Sequence, residues 1–200
     1  KTFDLKLWFK PIIYDLKENG VAHDGKISTK LGLPPIPYVA ETIAVSNLLI
    51  LAKETKTQIH LSSITSKDSV EMIKIAKENN VSVTADVSIN NLHLTEEDIG
   101  LFKTNTHLHA PLRTEIDRNA LSEGLKTGII DAICSDHIPL NLDKKNLPYA
   151  ETTPGSSGIE LLLPLTMKWA DDMKLSLNSV FEKISYNSSK ISNISINQIK

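Results

Sequence analysis

Two hundred residues, 40% of them hydrophobic, are enough for one domain with a real core, and a formal charge of −2 argues against a general nucleic-acid or anionic-membrane binder. No apolar run reaches the roughly 18 residues that span a bilayer, and Leu161–Leu165 carries Pro164 within it. The lone cysteine, Cys134, excludes an internal disulfide and fits a reducing cytosol, so a cytoplasmic location is expected, with Cys134 as a buried strand residue.

Leu5 to Ile13 is strand-like, broken by Pro11, and leads into a long polar loop with Asn19-Gly20, Asp24-Gly25 and the proline-rich Leu33–Pro37. From Tyr38 to Thr55, Val39, Ile43, Ala44, Leu48, Leu49, Leu51 and Ala52 keep the spacing of a core-facing helix, and Glu41 in its first turn complements the helix dipole. Thr57 to Ile64 predicts a strand. Ser66 caps a helix carrying Val70, Ile73, Ile75 and Ala76 as far as Asn79-Asn80. Val81 to Val87 returns as a strand, Thr95–Asp98 reads as a capping box, and Thr114 to Lys126 predicts a helix with Ile116, Ala120, Leu121 and Leu125 inside and Gly128 ending it. Ile130 to Ser135 is the next strand, followed by helices over 157–171 and 176–190. Ile194 to Lys200 alternates like an unpaired strand and stops mid-pattern, and no leader precedes Lys1, so both ends read as cut.

Strands alternating with helices at this spacing predict βαβ units in a parallel sheet. Four such units make half of an eight-fold barrel, whose open edges require covering by a dimer or larger assembly. Active sites of such barrels lie at the C-terminal ends of the strands. Ile133–Pro139 delivers Asp136 and His137 into a proline-broken loop, His60 ends another apolar strand, and Pro154–Glu160 makes a glycine-punctuated loop entering a helix. His60 and Asp136 are side-chain types that bind a divalent metal, but two ligands are not a site. Asp136 alone also suits a cap, with His137 orienting it. Gly155 and Gly158 suit either a loop pressed on a substrate pocket or a simple turn. His107 and His109 read as an exposed loop pair or an opportunistic metal binder, and His23 and His93 as surface residues.

Ile59-His60-Leu61-Ser62-Ser63, Pro111-Leu112-Arg113 with Asp117-Arg118 behind it, Ser135-Asp136-His137, Lys145–Glu151 and the Pro154–Glu160 loop, in this order and spacing, resemble dihydroorotase of the amidohydrolase superfamily from about Gly20 to about Ser189. Allantoinases and hydantoinases share the Asp-His strand end but differ around Pro-Leu-Arg. The resemblance implies an α/β fold of the (β/α)8 TIM-barrel, metallo-dependent hydrolase type. The chain would hold only its later strand–helix units, as a single partial barrel domain over 1–200, without the N-terminal strands and the C-terminal extension. It also implies hydrolysis or closure of a cyclic amide by a zinc-bound hydroxide, with zinc as cofactor, His60 and Asp136 at metal positions and Asp136 as the catalytic proton shuttle. His109, Arg113, Pro154 and Gly155 fall at substrate-binding positions.

The departures from that pattern matter as much as the matches. The His-x-His that such enzymes carry on the first strand would lie upstream of Lys1, which the cut end explains. Leu7–Ile12 offers no histidine where a second ligand belongs, and Pro11 falls near the expected place. His109 replaces a substrate-contacting asparagine, Leu140 replaces the histidine closing the Asp-His-x-Pro-His run, and Asn90-Asn91 stand where paired histidines are common. His107-x-His109 lies too late in the chain to be the missing His-x-His. These losses imply a dihydroorotase-like pseudoenzyme of pyrimidine biosynthesis, kept as a structural partner of aspartate carbamoyltransferase. The alternative is an active zinc dihydroorotase whose remaining ligands lie upstream.

Overall fold

The computed structural model describes residues 5–195. Its sheet strands are short: β1 (Leu7–Phe9), β4 (Ile59–Leu61), β5 (Val83–Ser88) and β6 (Ala132–Cys134) pair in parallel in that order. The expected strand over Leu5–Ile13 thus shrinks to three residues and ends before Pro11, which lacks the N–H a ladder needs. The long loop after it is ordered. It holds α1 (Tyr14–Lys17) and a second parallel pair, β2 (Ala22–His23) with β3 (Pro35–Ile36), with α2 (Lys26–Leu31) between them.

The helices α3 (Val39–Thr55), α4 (Lys67–Glu78) and α6 (Glu115–Lys126) follow the expected bounds closely. Their starts have the predicted chemistry: Ser69 N–H donates to Ser66 Oγ at 3.3 Å, and Thr114 and Asp117 form a reciprocal capping box. Four positions expected inside are exposed, however. Ile43, Leu51, Ile75 and Ile116 lie on the outer sides of their helices, because spacing marks an apolar stripe but not its width. The segment over 157–171 narrows to α7 (Leu162–Asp172), where Pro164 sits in the first turn and its missing N–H costs nothing. The helix over 176–190 is α8 (Leu177–Phe181), a π-helical turn over Glu182–Tyr186, and α9 (Asn187–Ser192). The short α5 (Ile89–His93) follows β5 directly, and Glu96–Ile99 is the predicted capping-box turn, in 3-10 form. The strand expected over 194–200 falls mostly outside the described residues.

Because side chains alternate along a strand, one face of the sheet carries Ile59, Leu61, Val83, Ala85, Val87 and Ile133 into a single core with Val45, Ile73, Leu121, Leu125 and Trp169 of the helices. The interleaved residues Trp8, His60, Thr84 and Asp86 face the other way. No helix among the described residues is long and apolar enough to cross a membrane.

Candidate functional site

On the inner face His60 is 1% exposed and lies mid-strand rather than at a strand end. Its Nε2 is 2.9 Å from Asp86 Oδ2 and its Nδ1 2.9 Å from Thr84 Oγ1, while the Trp8 ring closes over it at 4.2 Å. A carboxylate only accepts, so Nε2 carries the proton and donates to Asp86. Asp86 also accepts the Ser63 N–H at 2.8 Å, and Ser63 Oγ lies 3.8 Å from Cys134 Sγ. Burial, followed by the charge of Asp86, pushes the Cys134 thiol well up, so it stays a thiol.

Ser63 after β4 and Asp136 after β6 both take left-handed backbone, at φ 57° and 45°, so the strand ends carry conformations that non-glycine residues avoid. Asp136 is half-buried and His137 exposed. His137 Nδ1 accepts the Gly158 N–H at 3.2 Å, which ties the glycine loop to the end of β6. Both glycines sit in close contact with neighbouring atoms. A Cβ on Gly158 would meet Ser135 O at 2.3 Å, and one on Gly155 (φ 147°) would meet Ile138 Cγ2 at 2.8 Å. Gly155 N–H donates to His107 O at 2.9 Å, so Pro154 and Gly155 line this stitched segment. Across the mouth stands Lys10, one residue past β1 and half-buried. Burial lowers its pKa, and the charges of Asp136, Cys134 and Asp86 oppose that shift.

The wall behind the mouth is a buried charge network. Glu41 lies in the first turn of α3, as expected, and its carboxylate also reaches the start of α4. It accepts from the backbone N–H and hydroxyl of Thr65 and Ser66, and from Ser69 Oγ, at the start of α4. Arg113, 3% exposed, donates through Nε to Thr65 Oγ1 at 2.6 Å and through Nη1 to His23 Nδ1 at 3.1 Å, and its Nη2 lies 3.9 Å from Glu41 Oε2. Arg113 therefore braces β4, α3 and the β2 strand. His23 is a buried part of this brace, not a surface residue, and burial followed by the Arg113 charge lowers its pKa.

His107 is likewise buried rather than exposed. It stacks on Tyr149 at 5.2 Å and its Nδ1 lies 2.7 Å from Thr152 Oγ1, and burial followed by the Lys145 charge pushes its pKa down to about 4. Lys145 Nζ donates to the Thr104 and His107 carbonyls at 3.0 Å. His109 is half-buried, and its Nδ1 is a buried atom with no partner among the described residues, as are Asn90 Nδ2 and Asn91 Oδ1. His93 is also half-buried, with Nε2 2.9 Å from Leu165 O.

The mouth thus brings Asp136, Lys10, Cys134 and Asp86 together and leaves Arg113 to the framework. Sequence reasoning missed Asp86, Glu41 and Lys10. Asp86 had a visible signal, a lone carboxylate inside the apolar run Val83–Ser88, and Lys10 another, a lysine at the end of Leu7–Phe9. These residues do not fit the divalent metal that the resemblance implies. Among the described residues no group of three or more His, Cys, Asp or Glu side chains is placed to hold a metal ion, and His60 Nε2 donates to Asp86.

No family model matches the chain. It is 41% identical over 185 residues to a dihydroorotase-like protein of Pseudomonas aeruginosa, covering 92% of this chain and 44% of that protein. It is 39% identical over 180 residues to a dihydroorotase of Syntrophus aciditrophicus, covering 90% and 42%. Among solved structures it superposes on an L-hydantoinase from Arthrobacter aurescens with a TM-score of 0.83, at 20% identity, covering 96% and 44%. It superposes on a Saccharomyces cerevisiae dihydroorotase in complex with 5-fluoroorotic acid with a TM-score of 0.74, at 18% identity, covering 96% and 51%. The chain spans less than half the length of the curated relatives it matches.

Proposed function

We propose, from a chain that belongs over its matched length to the dihydroorotase family of the amidohydrolase superfamily and holds later strand–helix units of a TIM barrel, that it is a pyrimidine-pathway, dihydroorotase-like protein with a degenerate catalytic site. Its role is to serve as a structural partner of aspartate carbamoyltransferase. The observation that carries this reading is the mouth itself: the His60 imidazole is engaged by Asp86 and Thr84, and a lysine, Lys10, follows β1 at the end of the sheet where hydrolytic chemistry wants a Lewis acid. The outer core meanwhile keeps the packing that folding and assembly need. Sedimentation of the purified chain with the transferase at micromolar concentrations tests it. Co-migration is expected, and separate boundaries would sink the partnership.

A second reading is an active zinc dihydroorotase. It is favoured by Asp136, held at φ 45° on a strand end with a glycine-built loop fastened beside it. Elemental analysis after dialysis against metal-free buffer, with turnover of dihydroorotate, separates the two. One to two zinc per chain with turnover establishes the enzyme, and neither establishes the degenerate site.

A further inference from the structure

We propose that Lys10 is the resident cation of the strand-end mouth, a fixed ammonium that balances its acidic groups and keeps divalent metal ions out. The backbone brings the groups together. β1 runs in register with β4, Phe9 opposite Leu61, and the Ser62 N–H donates to Phe9 O at 2.8 Å, so Lys10 leaves the sheet beside Ser62 and Ser63. Ser63 in turn donates to Asp86 through its N–H and meets Cys134 through its hydroxyl. Asp86 lies opposite Ala132 in the β5–β6 register, and Asp136 follows two residues after β6. The end of β1, the middle of β5 and the end of β6 therefore bring a lysine, two carboxylates and a thiol to the same region of the sheet.

Asp86 is compensated by His60 and by the Ser63 amide, whereas Asp136 makes no ion pair within 4.0 Å among the described residues. A half-exposed carboxylate keeps part of its hydration, and a nearby positive charge stabilises it without a direct ion pair. A carboxylate with a thiol is also a donor pair that a borderline divalent ion accepts once a third ligand joins them. The Lys10 charge, which follows β1 beside Ser62 and Ser63, acts on Asp136 through space and opposes binding of such an ion. Lys10 is half-buried, and the charges of Asp136, Cys134 and Asp86 oppose the lowering of its pKa by burial. An ammonium there repels an incoming dication and offers no lone pair while protonated.

The test is a cobalt titration of the purified 200-residue chain, read by visible absorption and by competition with a chromophoric chelator. Lys10→Gln removes the charge, Lys10→His adds a neutral ligand, Lys10→Arg keeps the charge, and far-UV circular dichroism checks folding of each. The wild-type chain and Lys10→Arg are expected to show no stoichiometric binding. Lys10→Gln is expected to bind at least about tenfold tighter than wild type, a gain of about 1.4 kcal/mol. Lys10→His should bind tighter still, with a thiolate-to-cobalt charge-transfer band that Cys134→Ser abolishes. If Lys10→Gln does not fold, Lys10→His and its Cys134→Ser companion decide alone. Stoichiometric binding by the wild type, or no gain in folded Lys10→Gln and Lys10→His, overturns the inference. It rests on the degenerate-site reading, but the two fail separately. Cobalt bound with Lys10 in place sinks this one, while a transferase that does not co-migrate sinks the partnership only.

Discussion

The two faces of the sheet obey different rules. On the outer face Leu61, Ala85 and Val87 are fully buried among apolar helix residues, and what each position requires is volume and hydrophobicity. On the inner face and at the strand ends, His60, Asp86, Ser63 and Cys134 depend on one another through specific atoms. The outer face is tolerant of sequence and intolerant of voids. The mouth is the reverse: a few exchanges change its chemistry while the fold stays.

Four perturbations sharpen or break that contrast. The largest effect is expected at the brace between the two regions. Arg113→Met leaves Glu41 without its nearby cation and is expected to cost about 3–5 kcal/mol by urea denaturation, an outcome that a substrate-binding arginine exposed at the mouth would not give. Next, Leu125→Ala in the outer core should cost about 2–5 kcal/mol in the same assay, with a full cavity penalty because the site is wholly buried.

Acid sensitivity should follow, centred on His107. Its folded pKa of about 4 lies below the ordinary 6.5, so the unfolded chain binds the extra proton. The stability that this neutral histidine represents is whole above pH 6.5 and declines as pH falls toward 4, by roughly 3 kcal/mol. His107→Gln should flatten the stability curve across that window, and an unchanged slope would remove His107 as the cause. The smallest effect is expected from Asp136→Asn, which should alter stability by no more than about 0.5 kcal/mol, because the side chain is half-exposed and makes no hydrogen bond among the described residues. A large loss there would mean that the mouth supports the fold and that the contrast is false.

Legibility in the sequence followed the same division. Period-based patterns located α3, α4, α6 and the strands β4, β5 and β6, because the outer face is written in hydrophobicity, which has a period. The brace of Glu41, Arg113, His23 and Thr65 was not legible as such, since its members come from four separated segments and pair only after the chain has folded. His107 illustrates the same limit. A histidine in a polar loop reads as exposed until Tyr149 and Lys145, some 40 positions later, are seen to bury it. The strand-end aspartate at 136 was legible from its proline-broken loop, but not that Lys10 would face it.

Each face of the sheet also contains one of the chain's two tryptophans. Trp8 lies on the inner face, half-exposed over His60, while Trp169 is 2% exposed in the outer core with its indole N–H donated to Ser122. The chain therefore has a native fluorophore in each region. Acrylamide should quench Trp8 and spare Trp169, so emission from single-tryptophan variants would follow unfastening of the mouth and melting of the core as separate events.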